Sequence, residues 1–365
     1  MEPRAQDAVA AMPWGDCLVP PGTAAPDLVA EIRRTHGGLV PGWAARFAPV
    51  PWLVRTMCEM TSFPFAHLSV RDNSLVALVV SRDNSCRFCY GTQRALMRIL
   101  GYELDAIERL ERGELVDPDP SGQLGLDFAR KISRGTPRPG AAECAALERT
   151  GRSRELVAEL ALSAAFTVFA NRASTLVALP AGPIERTTYQ VAGRLLRPFL
   201  LRRARFGRRA HPPAPTRNDG VGADVVAALG ASPAAGVLRR AIDAAFASPV
   251  LPRRTKLLML AVIARSLACP RSELDARTAL AAEGMAADDV AQTVDHLGSP
   301  ALDAREALLV PFARETVRCQ PVEIQERLRA LSSELGLSRE ELLEVVGITA
   351  LANTLCRASV VVEQC

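Results

Sequence analysis

The chain of 365 residues carries 44 Lys and Arg against 40 Asp and Glu, a net charge of +4. That argues against a general nucleic-acid or anionic-surface binder unless the charge is gathered in one place. The length leaves room for two or three domains, and a hydrophobic share of 48% with only 5% aromatics favours helices packed on helices.

From the N-terminus, MEPRAQDAVAAMPWGD has acidic residues and no apolar core, so no signal peptide is expected. No run of about eighteen uninterrupted apolar residues occurs, so no membrane span is expected. The nine cysteines are scattered and odd in number, unlike a disulfide-stapled secreted domain, and the expected compartment is a reducing cytoplasm. His36, in THGGLVPGW, reads as a turn residue. Met57, Met60, Phe63, Phe65 and Phe128 read as core or packing between helices.

The chemistry-bearing stretch is SRDNSCRFCYGTQRALMRILG, residues 81–101. Apolar Phe88, Ala95, Leu96, Ile99 and Leu100 predict a helix over 87–100. Asp83, Asn84 and Ser85 are candidate caps at its head, and Gly101 a left-handed stop at its end. Cys86 and Cys89, three apart, lie near one face of that helix. Its N-terminal partial charge, with Arg82 and Arg87 nearby, favours thiolate over thiol. The pair can form a disulfide, share a metal or sit inert in a core. Tetrahedral zinc needs four ligands, and there is neither a second C-x-x-C nor a spaced cluster among the four histidines, so no metal is expected.

Further on, Ser153 with Glu155 opens another predicted helix. The segment LLRPFLLRRARFGRRAHPPAPTRNDG then gathers arginines over 194–209 ahead of three prolines. It reads as a cationic helix end and exposed linker, dividing the chain into 1–210, a linker at 211–222, and 223–365.

The two parts repeat each other. With Cys86 set on Cys269, residues 75–101 match 258–284 without a gap at Leu75, Val79, Arg82, Cys86, Arg94 and Gly101. Phe128-Ala129-Arg130 matches Phe312-Ala313-Arg314. GRSRELVAELALSAAFTVFANRAS (151–174) matches GLSREELLEVVGITALANTLCRAS (336–359) at nine positions. In the second copy Ser272 replaces the second cysteine, so 269 and 272 cannot form a disulfide. That half reads as a degenerate structural partner, with Glu273 the one residue able to retain chemistry.

VVSRDNSCRFCYGTQRALMRILGY resembles the signature helix of the alkylhydroperoxidase D-like, or carboxymuconolactone decarboxylase-like, family. HGGLVPGWAARFAPVPWLV, LGLDFARKISRG, 151–174 and AIDAAFASPVLPRRTKLLMLAVIA resemble its other segments. The resemblance covers most of the chain as two tandem domains. It implies an all-α fold, a tandem duplication of a helical bundle, and a homo-oligomer. It further implies a cofactor-free peroxide reductase in which Cys89 attacks, Cys86 resolves, and an external thiol reductant restores the pair. The family's C-x-x-C-x-x-x-H pattern and its glutamate twelve residues before the first cysteine are not kept. Gln93 and Ser74 stand there, and Ala276 and Leu257 in the second copy. Gln and Ser cannot relay a proton near neutral pH, so His67, Asp83 and Asp72 become candidate accessory groups. Two rivals stay open: acid–base chemistry on a small carbon substrate, and a non-catalytic binding or scaffold protein.

Overall fold

A computed structural model describes residues 9–35, 38, 40–111, 120–182, 184–185, 220–230 and 232–363. His36, His211, Cys365, the basic 194–209 segment and most of the expected linker lie outside the described residues.

Among the described residues there are seventeen helices and no strand. The first half holds α1 (Pro26–Thr35), α2 (Ala44–Phe47), α3 (Pro51–Thr61), α4 (Val70–Asp83), α5 (Arg87–Leu100), α6 (Leu104–Glu111), α7 (Pro120–Arg134), α8 (Ala141–Arg149) and α9 (Arg154–Leu176). The second holds α10 (Ala223–Ala228), α11 (Pro233–Ala247), α12 (Arg253–Ser266), α13 (Pro270–Ala282), α14 (Ala287–His296), α15 (Glu306–Glu315), α16 (Pro321–Leu335) and α17 (Arg339–Glu363). The protein is all-α.

Local chemistry accounts for many of the boundaries. Ser69 and Ser153 each accept a backbone N–H of the first turn that follows, opening α4 and α9. Ser338 and Glu341 form a reciprocal capping box ahead of α17, with bonds of 3.1 and 2.8 Å. Gly101 ends α5 with φ 103°, the left-handed stop expected there.

The head of α5 departs from expectation. Asp83, Asn84 and Ser85 do not cap it, because α4 runs on through Asp83. Ser85 then turns left-handed (φ 51°), its N–H bonds the Arg82 carbonyl, and the Cys86 N–H bonds the Ser81 carbonyl. This is the Schellman closure of α4, and it leaves Cys86 itself as the N-cap of α5. The second half repeats the device. Ala268 is left-handed (φ 48°), its N–H reaches Arg265, Cys269 N–H reaches Ala264, and Cys269 is the N-cap of α13. The buried face of α5 is also rotated from the predicted stripe. Phe88, Leu96 and Leu100 are half-buried, while Arg94 is fully buried against Tyr90, Glu108 and Glu111.

The two longest helices, α9 and α17, pack against each other at the centre. Both are long and apolar enough by composition to cross a membrane, and both are mostly buried within the protein. Met57, Met60, Phe63, Phe65 and Phe128 are core residues, with Phe63 stacked edge-on to Phe65 and Phe166. Gly347 lets α17 approach α3 closely: a Cβ there would stand 2.7 Å from the Trp52 ring.

The halves exchange equivalent contacts. Arg172 Nη2 donates to the Val317 carbonyl (2.9 Å), and Arg357 Nε donates to the Ser133 carbonyl (2.7 Å). Arg172 and Arg357 match in the repeat, as do Ser133 and Val317, each five residues beyond the matched phenylalanines. Gly135 and Cys319, seven beyond, are both left-handed. Arg172 hydrogen-bonds the Cys319 thiol, and a Cβ on Gly135 would press on Leu267 at 2.6 Å.

Candidate functional site

The Schellman turn at Asn84–Ser85 points α5 so that its first turn abuts the C-terminal third of α9. Cys86 is wholly buried and Cys89 is 7% exposed. Cys89 Sγ lies 3.6 Å from Ser174 Oγ. Asn171 and Cys86 also hydrogen-bond the Cys89 sulfur, and Asn171 Nδ2 is held by Ser81 Oγ at 3.1 Å. Arg172 binds Asn84 Oδ1 (2.9 Å) and brings Cys319, from the second half, to the edge of the thiol pair.

The two thiols are driven apart in acidity. Burial opposes a charge on Cys89, but hydrogen bonds from Cys86, Ser174 and Asn171 outweigh it and hold that thiol below its ordinary range. Cys86 is pushed well above its ordinary range, first by burial and then by its hydrogen bond to Cys89 and the charge there. The N-terminus of α5 adds its partial positive charge. Cys89 is thereby the more acidic thiol of the pair. Cys58 and Cys319 are unlike it: burial pushes Cys58 up to about 12 and raises Cys319. Cys144 is disulfide-bonded.

Several candidates fall away from this pair. Ser74 donates to the Val70 carbonyl at 2.8 Å, one turn back on its own helix, so its hydroxyl is committed locally. His67 is exposed, and its backbone N–H is held by Glu159 at 2.7 Å. Glu159 and Ser174 are separated by about 22 Å along α9 at 1.5 Å per residue, so His67 stands at the far end from the thiols. Asp72 is tied to Ser69 in the α4 cap. Asp83 is engaged by Arg130 and Arg134. Arg82 is exposed and faces the Tyr90–Glu111 group, and Arg87 pairs with Glu185 at 3.7 Å. Gln93 is half-buried one turn beyond Cys89, with no hydrogen bond to either thiol among the described residues.

In the second half, Cys269 and Ser272 are brought together, Sγ to Oγ 3.2 Å. Glu273 is not part of that contact: Arg277 and Arg265 hold its carboxylate at 2.8 and 3.8 Å.

The residues that sequence reasoning missed come from α9 and α17. Asn171, Arg172 and Ser174 belong to NRAS, and Cys356, Arg357 and Ser359 to CRAS. The shared Arg-Ala-Ser at the end of both matched segments was the available signal. Among the described residues no group of three or more His, Cys, Asp or Glu is placed to hold a metal ion.

Comparison with known proteins finds no matching family model, no matching curated protein and no matching solved structure.

Proposed function

We propose that the protein is a thiol-dependent oxidoreductase that reduces small organic hydroperoxides through a Cys86–Cys89 dithiol–disulfide cycle. The observation that carries this is the placement of the pair: Cys86 is the N-cap of α5 and Cys89 stands in its first turn, both buried together, with Cys89 the more acidic of the two. Cys89 is also the one of the two that touches solvent.

The cycle balances without a cofactor. The Cys89 thiolate attacks the outer peroxide oxygen. An S–O bond forms, the O–O bond breaks, and the alkoxide leaves as alcohol after taking a proton from water. Cys86 then attacks the sulfenic sulfur, an S–S bond forms, and the hydroxyl leaves as water with the Cys86 proton. An external dithiol or thioredoxin-like reductant returns two electrons and two protons. The resemblance to the alkylhydroperoxidase D-like family, which rests on the residues quoted above, assigns the same order of attack. Asn171 and Ser174 take over the anion-holding part of the family's glutamate and histidine, though not their proton relay. The described groups bonded to Cys89 are a thiol, a hydroxyl and an amide, which suit a sulfur anion better than acid–base chemistry on carbon. The reciprocal arginine contacts support reading the chain as a fused duplicate.

Steady-state turnover tests the reading. With dithiothreitol as reductant, consumption of cumene hydroperoxide should saturate with substrate and scale with protein. A rate no greater than that of dithiothreitol alone would contradict it.

A further inference from the structure

In the second half Cys269, at the head of α13, lies against Cys356 of α17. Cys269 Sγ lies 3.1 Å from Ser359 Oγ as well as 3.2 Å from Ser272 Oγ. Ser359 and Cys356 are three apart on α17, hence on one face, and Cys356 hydrogen-bonds Cys269 directly. In the repeat, Cys356 occupies the place of Asn171, the amide that bonds Cys89. The partner thiol that α13 lost at Ser272 is therefore supplied by α17. Arg138 reaches over from the first half: Nη1 donates to the Ala268 carbonyl (3.1 Å), Nη2 to Ser359 Oγ (2.5 Å), and the guanidinium pairs with Glu363 (3.1 Å). Arg138 and Glu363 still touch solvent, at 13% and 12% side-chain exposure, whereas Cys269 and Ser359 are wholly buried.

We propose that Cys269 and Cys356 form a second redox dithiol, bridged across α13 and α17, which a small hydroperoxide converts to a disulfide. The Cys269 sulfur attacks the peroxide, forming S–O and breaking O–O, and the alkoxide leaves as alcohol after protonation by water. Cys356 then attacks the Cys269 sulfenic acid, forming S–S and releasing water. An external dithiol reduces the bridge. The chemistry is that proposed for Cys86–Cys89 but no residue is shared, so either site can fail alone.

Electrostatics agree with this geometry. The hydrogen bond from Cys356 is the largest influence on Cys269. Burial opposes it, and Arg138, Ser272 and Ser359 add to it, bringing the thiol down to about 4. Cys356 goes the other way, pushed well up by burial, by its hydrogen bond to Cys269 and by the charge there. Asp275 and Glu363 are the carboxylates that feel Cys269, and Arg357 faces Cys356.

The test uses the full chain. Reduced wild-type protein and the Cys86→Ser/Cys89→Ser variant are treated with hydrogen peroxide, and their disulfides are mapped by mass spectrometry. The Cys269–Cys356 linked peptide should appear in both. It should vanish in Cys356→Ser, with Cys269 trapped instead as a dimedone adduct. In untreated wild type, alkylation of Cys269 by iodoacetamide should change less than about threefold between pH 6 and 9, whereas an ordinary thiol near pKa ~8.5 slows about tenfold per pH unit below it. Recovery of both cysteines as free thiols from peroxide-treated wild type, or a tenfold-per-unit fall in Cys269 alkylation, would overturn the proposal.

Discussion

In a Cys269→Ser/Cys356→Ser background, which silences the second pair, Cys89→Ser should abolish rapid peroxide reduction, slowing turnover by about two orders of magnitude or more, because it removes the more acidic sulfur of the first pair. Cys86→Ser should behave differently. The attacking sulfur remains, so one equivalent of peroxide is still reduced, but the product stops at sulfenic acid and no disulfide forms. Serine at 86 still donates a hydrogen bond, so the thiolate is retained while the resolving step is lost. Single-turnover stopped flow with mass analysis separates the two outcomes. Equal loss in both variants at the first step would mean that Cys86 acts in the attack and not in the resolution. The roles also give a pH dependence. A thiol depressed in the folded protein keeps its reactivity as pH falls through the ordinary thiol range, so peroxide reactivity of Cys89 should outlast that of a free cysteine below pH ~8.5.

Lys256→Met should destabilise the fold by about 3–5 kcal/mol, read as a fall in urea midpoint without a change of slope. Lys256 and Glu344 are both fully buried and 2.6 Å apart. The ammonium also donates to the carbonyls of Ala245 and Ser248, at 2.7 and 2.6 Å, and Trp52 Nε1 donates to the other Glu344 oxygen at 2.7 Å. One ion pair thereby ties α12 to α17, to the end of α11 and to α3. Burial lowers the Lys256 pKa even with Glu344 opposing the shift, which marks the cost of holding the charge in the core. Removing the lysine leaves a buried carboxylate with one indole donor and two orphaned carbonyls. The double variant Lys256→Met/Glu344→Leu should recover much of the loss, since the uncompensated charge is gone. A double variant as unstable as the sum of the single ones would show that the pair is not coupled.

The all-α character was legible because composition, serine caps and the glycine stop all point one way, and each is a local signal. The rotation of α5 was not, since Arg94 is buried by partners on α6 that no periodicity count weighs. The turn at 83–85 misled for a related reason. Asp, Asn and Ser are cap residues by chemistry, but whether they close one helix or open the next depends on where α4 ends. Cys86 and Cys89 were visible by spacing alone. Their real partners, Asn171 and Ser174, lie on α9, and only tertiary packing brings them in. Ser74 and His67 stand out in the sequence only by their place in the family's pattern and by residue type. One hydroxyl back-bonds its own helix and the imidazole sits at the wrong end of α9. The nearness of Cys269 and Cys356 was not legible, because spacing reports a partner only on the same helix. Cys356 is far away in sequence and one hydrogen bond away in space.

The most direct test of the dithiol assignment is to expose fully reduced protein to one equivalent of hydrogen peroxide for a short time, quench with an alkylating agent and map every cysteine. A Cys86–Cys89 disulfide formed faster than free cysteine oxidises is the result predicted. Cys86 and Cys89 recovered as free thiols, with oxidation no faster than that of free cysteine, would contradict it.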